Sequence, residues 1–270
     1  SAASDVYKRQ VVIGGGLLGL EAAYGLKQRG MNVTVLHLMD RIMERQLDGR
    51  ASQLLRHSIE QKGIQIITEA NTEALIGDEN GHVKQIRLKD GTVLDADLVV
   101  FAVGIRPNIA LAQSASLRCN RGVLVNDTMQ TFDPSIYAVG ECIEHRGQTF
   151  GLVEPLWGQA FICATHLAEH GSLTFKAPTV PTQLKVSGVD VFSAGNFEPK
   201  DDYEDIILND EKRQIYKRII IQSDRVIGAV LFGDTEDGMW YAELIADQTP
   251  VSSFRNKLLF GRDFALKNAG

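Results

Sequence analysis

The sequence predicts an α/β fold in which a parallel sheet carries an antiparallel excursion and is followed by a small C-terminal α+β domain. Three observations lead to this fold class. An apolar β-branched run at 11–13 passes through three glycines directly into a helical pattern. Strands and amphipathic helices then alternate as far as residue 68. Beyond it, short strands are separated by Asn80-Gly81 and Asp90-Gly91, which are strong hairpin signals.

The first 173 residues are expected to contain nine strands and four helices. The strands are predicted at 10–13, 32–36, 64–68, 71–76, 82–88, 92–94, 97–103, 123–125 and 136–139. The helices are predicted at 17–29, at 50–62, briefly within 105–120, and at 156–169. The strands at 97–103 and 136–139 are wholly or largely apolar, and both are expected to be buried.

The composition changes after a linker at 176–180, which has two prolines nearby. Strands are predicted at 183–186, 189–193, 206–208, 214–222 and 226–232, and short helices at 239–246 and 253–259. This part has no cofactor signature, so we interpret it as a packing or dimerisation domain and expect a possible homodimer. An acidic run at 201–205 is interpreted as a solvated loop, with the docking of a basic electron partner as the alternative.

Composition narrows the class of protein. The net charge of −6 argues against non-specific nucleic-acid binding. The longest wholly apolar run, at 98–103, is far too short to cross a bilayer, so no membrane association is expected. The three cysteines are odd in number and widely spaced, which indicates reduced thiols in a cytoplasmic protein. Cys163 lies among apolar residues and is expected in the core.

The glycine-rich segment predicts a dinucleotide site. Gly14, Gly16 and Gly19 have the G-x-G-x-x-G spacing between a strand and a helix. In that motif the glycines allow a tight turn, close approach to a pyrophosphate, and packing of helix on strand. The predicted binding residues are Gly14, Gly15, Gly16, Leu17, Leu18 and Gly19. A glycine-rich turn in another kind of α/β domain is the alternative.

Three motifs in a definite order carry a family resemblance. The glycine loop comes first, the segment 96–108 (ADLVVFAVGIRPN) second, and the segment 136–141 (IYAVGE) third. This order resembles the flavoprotein reductases with two dinucleotide-binding domains, among them disulfide, ferredoxin and rubredoxin reductases. The resemblance implies a Rossmann-like NAD-binding domain, the remainder of an FAD-binding domain, and transfer of a hydride from NAD(P)H to FAD.

Two further stretches resemble the large subunits of bacterial NAD(P)H-dependent nitrite reductases. They are 36–48 (LHLMDRIMERQLD) and 138–153, which ends in Phe-Gly-Leu-Val. Electron-transfer subunits of assimilatory nitrate reductases carry similar stretches. The resemblance implies that electrons leave singly for a metal centre in an acceptor domain or protein, and that nitrite is reduced there.

The sequence also departs from that pattern. It has no second glycine loop for the ADP half of FAD, and its three scattered cysteines cannot hold iron–sulfur or sirohaem centres. We therefore expect a central slice of a longer protein, with those centres only in regions that this chain lacks. The predicted parts are a non-native leader over 1–9, an NAD(P)H-binding domain over 10–103, the C-terminal portion of an FAD domain over 104–173, and the C-terminal domain over 174–270.

The nucleotide-selecting residues are expected after the second strand. His37 stands 18 residues after Gly19, where NAD-binding members usually carry an acid. A neutral imidazole can bond the ribose 2′-hydroxyl, whereas a protonated one helps to hold a 2′-phosphate. Met39, Arg41 and Arg45 lie in the same resembling stretch, and the two arginines either favour phosphate or face solvent. NADH is the expected nucleotide by resemblance.

The remaining site residues follow from the resemblance. Glu21 is expected near the nicotinamide end, although a solvated charge at the helix start is the alternative. Val103 and Gly104 are expected to pass close to the nucleotide and flavin. Gly140 allows the backbone to approach FAD, and Glu141 accepts from a ribityl hydroxyl.

Two further residues complete the predicted flavin site. Leu152 belongs to the resembling stretch before the helix, and Trp157 either stacks near the flavin or lies in the core. No catalytic side chain and no metal ligand is expected. The alternatives to a nitrite reductase section are a ferredoxin- or rubredoxin-type reductase and a non-catalytic NADH-binding module.

Overall fold

A computed structural model describes residues 9–169, 173–178, 181–199 and 202–267. Nearly all of the predicted leader and the last two residues of the predicted linker lie outside the described residues. Contacts divide the chain into two compact units, and each is described by itself. The first comprises the described residues up to Gly104 and those from Pro181 onwards, and the second comprises those from Ile105 to residue 178.

A four-stranded parallel sheet organises the first unit. Its elements, with the antiparallel excursion, are β1 (Arg9–Ile13), α1 (Leu17–Gln28), β2 (Asn32–Leu36), α2 (Gly49–Gln61), β3 (Gln65–Ile67), β4 (Thr72–Gly77), β5 (Val83–Leu88), β6 (Val93–Asp95) and β7 (Leu98–Phe101). The order in the parallel sheet is β3-β2-β1-β7, and β4, β5 and β6 form a separate antiparallel sheet. The predicted α/β fold with an antiparallel excursion is confirmed.

The two faces of the parallel sheet are covered differently. Val12, Val33 and Val35 pack with α1 and α2 on one face. Val11 and Ile13 pack with Ile86 and other residues of the excursion on the opposite face. The alternation of side chains along β1 therefore serves two cores, as expected for a strand in the middle of a layered sheet.

The second unit contains fewer regular elements. They are α3 (Ala110–Ser114), β8 (Val123–Val125), β9 (Ile143–His145), β10 (Gln148–Thr149) and α4 (Val153–Leu167). β9 pairs parallel with β8 and antiparallel with β10. Cys163, predicted in the core, is buried in the apolar cluster of this unit, and burial raises the pKa of its thiol.

The C-terminal part of the first unit is a five-stranded antiparallel sheet. Its elements are β11 (Thr182–Val186), β12 (Val189–Gly195), β13 (Glu204–Asp210), β14 (Ile215–Gln222), β15 (Arg225–Phe232), α5 (Gly238–Asp247), a 3₁₀ helix (Arg255–Phe260) and α6 (Arg262–Leu266). The strand order is β11-β12-β15-β14-β13. Val191 and Val230 join the core that contains Leu20 and Leu54 of α1 and α2, so this sheet and the parallel sheet share one apolar cluster.

Several predicted elements were wrong in detail. The strand predicted at 136–139 is absent from the described chain, where Tyr137 makes only an isolated bridge to Gln130. β7 is an edge strand rather than a buried one, and Phe101 is 60% exposed. α4 begins three residues earlier than predicted, because Pro155 lies in its first turn, where a missing N–H costs no hydrogen bond.

The acidic run is not simply a loop. Glu204 and Asp205 belong to β13 and form ion pairs with Arg255 and Arg218, while Asp201 lies outside the described residues. Among the described helices, none has the length and apolar character needed to span a membrane.

Candidate functional site

The glycine loop is built by close backbone contacts that exclude side chains. The Gly14 N–H donates to Leu36 O at 2.8 Å, and its φ of +120° lies in a region that L side chains rarely adopt. A Cβ on Gly14 would lie 2.2 Å from Ala102 O, and one on Gly19 would lie 1.9 Å from Gly14 O. The loop, the start of α1 and the segment after β7 are therefore packed backbone against backbone.

Gly16, in contrast, faces open space. It is the N-cap of α1, and no side chain of the described chain caps this end of the helix. A Cβ placed there would meet no heavy atom of the described chain within 4 Å outside its immediate neighbours. The first amides of α1, including those of Leu17 and Leu18, lie at this end, where the helix dipole favours an anion. The structure thus leaves room beside a helix N-terminus, which is the arrangement that binds phosphate groups.

His37 joins the glycine loop to the loop after β2. The Gly15 N–H donates to its Nδ1 at 3.0 Å, and its Nε2 lies 3.1 Å from Glu44 Oε2. Because a backbone N–H can only donate, Nδ1 must be the acceptor, and the proton of the neutral ring is on Nε2. Both nitrogens of this buried ring are therefore used within the protein, so a direct bond to ribose would have to replace one of them.

A cleft of about 580 Å³ opens at the carboxyl ends of β1 and β2. It lies where open α/β sheets bind their ligands. Its lining includes five residues that the sequence predicted for the site, namely Gly14, His37, Met39, Arg45 and Val103. It also includes Glu44, Asn71 and Thr72, which sequence reasoning missed. Glu44 could have been suspected from its place in the resembling stretch, whereas Asn71 precedes β4, Thr72 begins it, and neither gives a local signal.

The loop between β2 and α2 is held from two sides. The Met43 N–H donates to Gly15 O at 3.0 Å. Arg41, which together with Arg45 was a candidate for binding phosphate, instead pairs with Glu198 at 2.5 Å. Arg41 is thereby bound to the loop after β12, and Arg45 remains as the exposed cation of the cleft.

Glu21 lies exposed on α1. Gly104 follows Val103 with a φ of +87°. Val103 is exposed, so the segment after β7 presents both backbone and an apolar side chain to the surface. The predicted roles of these three residues remain predictions.

In the second unit, Gly140 is tied to α4 by a residue that sequence reasoning missed. The Gly140 N–H donates to Gln159 Oε1 at 2.8 Å, and Gln159 is fully buried. Its Nε2 is buried and has no hydrogen-bond partner in the described part of the chain. A buried unpaired amide is costly, so this group is suited to meet an acceptor on a ligand. The signal was a single amide on the otherwise apolar buried face of α4.

The predicted flavin-contacting side chains of this unit are exposed. Glu141, Leu152 and Trp157 all lie at its surface, and Trp157 is 74% exposed. The core alternative for Trp157 is therefore wrong within this unit. An exposed tryptophan and an exposed leucine at the start of one helix are typical of a surface that another group covers.

Other residues of the resembling segment are structural. Glu144 is buried and accepts from Asn120, Arg121 and Gly122; burial opposes its ionisation, but these hydrogen bonds lower its pKa overall. Hydrogen bonds from Arg146 and His145 hold the pKa of Asp127 well below its usual range. Glu141, in contrast, forms no hydrogen bond or ion pair with the described residues.

Comparison with known proteins agrees with the motif order. Residues 2–159 match the family model described as pyridine nucleotide-disulphide oxidoreductase, and residues 181–249 match that of the rubredoxin NAD⁺ reductase C-terminal domain. A solved complex of putidaredoxin reductase with putidaredoxin is similar, with a TM-score of 0.81 and 28% identity, covering 97% of this chain and 63% of that one.

The predicted similarity to nitrite reductase large subunits is confirmed. The chain is 48% identical to Bacillus subtilis nitrite reductase [NAD(P)H], covering 93% of this chain and 31% of that protein. It is 40% identical to the assimilatory nitrate reductase electron transfer subunit of the same organism, covering 94% and 33% respectively. The chain therefore spans about a third of the length of these curated relatives.

Proposed function

We propose that this chain, which belongs to the pyridine nucleotide-disulphide oxidoreductase family, is the NAD(P)H- and FAD-dependent reductase section of a nitrite-reducing enzyme. The observation that carries the proposal is the uncapped N-terminus of α1 beside open space at Gly16. In this proposal the amides of Leu17 and Leu18 bind the pyrophosphate of NAD(P)H, and the cleft after β2 holds the adenosine end.

The second unit fits part of a flavin site. The unpaired Nε2 of buried Gln159, the backbone at Gly140 and the exposed carboxylate of Glu141 are suited to polar groups of FAD. Trp157 and Leu152 would exclude water from the flavin. The chemistry supplied by bound FAD is acceptance of a hydride from NAD(P)H and onward transfer of single electrons. In this proposal the residues of this chain bind and orient the two cofactors.

The electron acceptor would lie in another domain or protein. The name of the nitrite reductase relative favours nitrite reduction, and that of the second Bacillus subtilis relative favours electron transfer to a reductase. In this proposal the electrons pass to a metal centre outside this chain. Within the described residues, no three His, Cys, Asp or Glu side chains cluster as a metal site. A rubredoxin- or ferredoxin-type reductase is the second candidate, because residues 181–249 match a rubredoxin reductase domain.

The proposed organisation keeps the predicted boundaries at 104 and 174, with 10–103 binding NAD(P)H, 104–173 contributing to the FAD site, and the remainder packing or dimerising. Placement in the cytoplasm is also proposed. It is supported by Cys119, Cys142 and Cys163, all of which are free thiols.

The proposal predicts the effect of Gly16→Ala. Gly16 has a φ of −83°, and its added methyl meets no protein atom, so the free energy of unfolding should change by less than about 1 kcal/mol. The methyl would occupy the space of the pyrophosphate, so the Kd for NADH should rise at least about tenfold. Fluorescence titration with NADH measures this Kd, and urea unfolding measures the stability.

Gly25→Ala is the matched control. Gly25 also faces open space, but it lies in the middle of α1, away from the N-terminus. This variant should keep the wild-type Kd for NADH and gain up to about 1 kcal/mol of stability from better helix propensity. Equal nucleotide affinity in the two variants would show that NADH does not bind at the start of α1.

A further inference from the structure

We propose that Glu44 accepts a hydrogen bond from the 2′-hydroxyl of the adenosine ribose and makes this cleft selective for NADH over NADPH. The inference rests on the proposed function, because it requires a pyridine nucleotide in the cleft. It assigns to a residue of the loop after β2 the role that an acid at the end of the second strand has in other NAD-binding folds.

His37 occupies the position at the end of the second strand. Its Nδ1 accepts from the Gly15 N–H at 3.0 Å, which places the proton on Nε2, 3.1 Å from Glu44 Oε2. The imidazole therefore has no nitrogen left for a ribose. Instead it positions the Glu44 carboxylate at the end of β2, so that an anionic acceptor is restored where the sequence shows none.

The Glu44 carboxylate can accept a further hydrogen bond. Only Oε2 is engaged by His37, and no donor of the described chain reaches Oε1. The side chain is 25% exposed and lines the cleft beside Met39. A carboxylate that is held at one oxygen and open at the other is suited to the 2′-hydroxyl of an adenosine ribose.

The charges around the cleft discriminate between a ribose hydroxyl and a 2′-phosphate. A 2′-phosphate carries about two negative charges and would be repelled by the Glu44 carboxylate. Arg41 cannot offset this repulsion from its present position, because it is paired with Glu198 at 2.5 Å. Arg45 also lines the cleft and would attract the phosphate. Glu44 and Arg45 are neighbours in sequence and have opposite effects on the selectivity of the cleft: Glu44 favours NADH, and Arg45 favours NADPH.

Glu44→Gln tests the assignment because glutamine keeps an oxygen for the His37 Nε2–H and loses only the charge. We expect the Kd for NADH to rise by about tenfold, as for the loss of a charged hydrogen bond. The Kd for NADPH should fall, so the preference for NADH should drop by more than tenfold. Arg45→Gln should have the opposite effect and weaken NADPH by about tenfold, with little change for NADH.

Glu60→Gln is the matched control. Glu60 makes a similar charge contact, to Arg56 at 2.9 Å, but it lies on α2 outside the cleft. This variant should keep the wild-type ratio of the two Kd values, which reveals any effect of net charge alone. All four proteins are titrated with NADH and NADPH by fluorescence at one ionic strength.

The outcomes separate the two proposals. If wild-type protein binds NADH but Glu44→Gln keeps the wild-type ratio, the role of Glu44 is refuted while the nucleotide site stands. A wild-type preference for NADPH refutes it as well. If the wild-type protein binds neither nucleotide, the proposed function itself fails.

Discussion

Replacing Asp48 with alanine is expected to lower the free energy of unfolding by about 3–5 kcal/mol, the typical cost of breaking a buried ion pair. Asp48 Oδ2 accepts from Tyr216 Oη at 2.8 Å and from Arg218 Nη1 at 3.2 Å. Its Oδ1 caps α2 by accepting from the Ala51 N–H at 2.9 Å. The variant would leave Arg218 and Tyr216 of β14 without their buried acceptor, and urea unfolding measures the loss.

Asp205→Ala is the comparison for Asp48→Ala. Asp205 pairs with the same Arg218 at 2.9 Å, but its side chain is one-third exposed, so its removal should cost at most about 1 kcal/mol. Equal losses in the two variants would contradict the account. Burial and the nearby Asp48 carboxylate raise the pKa of Tyr216, so its hydroxyl stays protonated and remains a donor well above neutral pH. Loss of that donor in Tyr216→Phe should cost about 1.5–3 kcal/mol, because the bond is to a charged carboxylate.

The second large effect is expected from Gly19→Ala. The new Cβ would lie 1.9 Å from Gly14 O and 3.3 Å from Ala102 Cβ, so the backbone of the glycine loop must move. Overpacking of this kind costs about 1–3 kcal/mol of stability. Because the moved loop carries the site beside Gly16, we also expect the affinity for NADH to fall by about a hundredfold or more.

The two properties of Gly19→Ala are measured separately. Urea unfolding gives the stability, and a fluorescence titration at a temperature where the variant is fully folded gives the Kd for NADH. Gly25→Ala, on the same helix, again serves as the control for helix propensity. A folded Gly19→Ala protein with wild-type affinity would show that the glycine loop is not the nucleotide site.

The sequence predicts the features that depend on neighbours in the chain. The glycine loop is recognisable because Gly14, Gly16 and Gly19 stand between a strand and a helix within a few residues. The hairpin between β14 and β15 is equally local, since Ser223 and Asp224 both have positive φ at its turn. Such features depend on turn chemistry that a short segment already contains.

The features that the sequence did not predict depend on distant partners. Asp48 caps the helix that begins beside it, but its bonds to β14 join residues 168 and 170 positions apart. Gln159 becomes informative only when its contact with Gly140 is known. The apolar run around Tyr137 has the composition of a strand, yet no neighbouring strand pairs with it in the described chain beyond one bridge.

The nucleotide cleft combines both kinds of feature. His37 was recognised from its spacing after Gly19, but its role depends on two contacts that spacing does not reveal, to Gly15 and to Glu44. A sequence count places the residue at the strand end. The hydrogen bonds decide that its ring supports a carboxylate and has no nitrogen left for the ligand.

A titration of the purified chain with NADH, followed by nicotinamide fluorescence and by calorimetry, tests directly whether the N-terminus of α1 binds the pyrophosphate. We expect saturable binding at one site per chain, with a Kd that Gly16→Ala raises at least about tenfold. Absence of saturable NADH binding to a folded protein, or binding that Gly16→Ala leaves unchanged, would contradict the claim that the N-terminus of α1 binds the pyrophosphate.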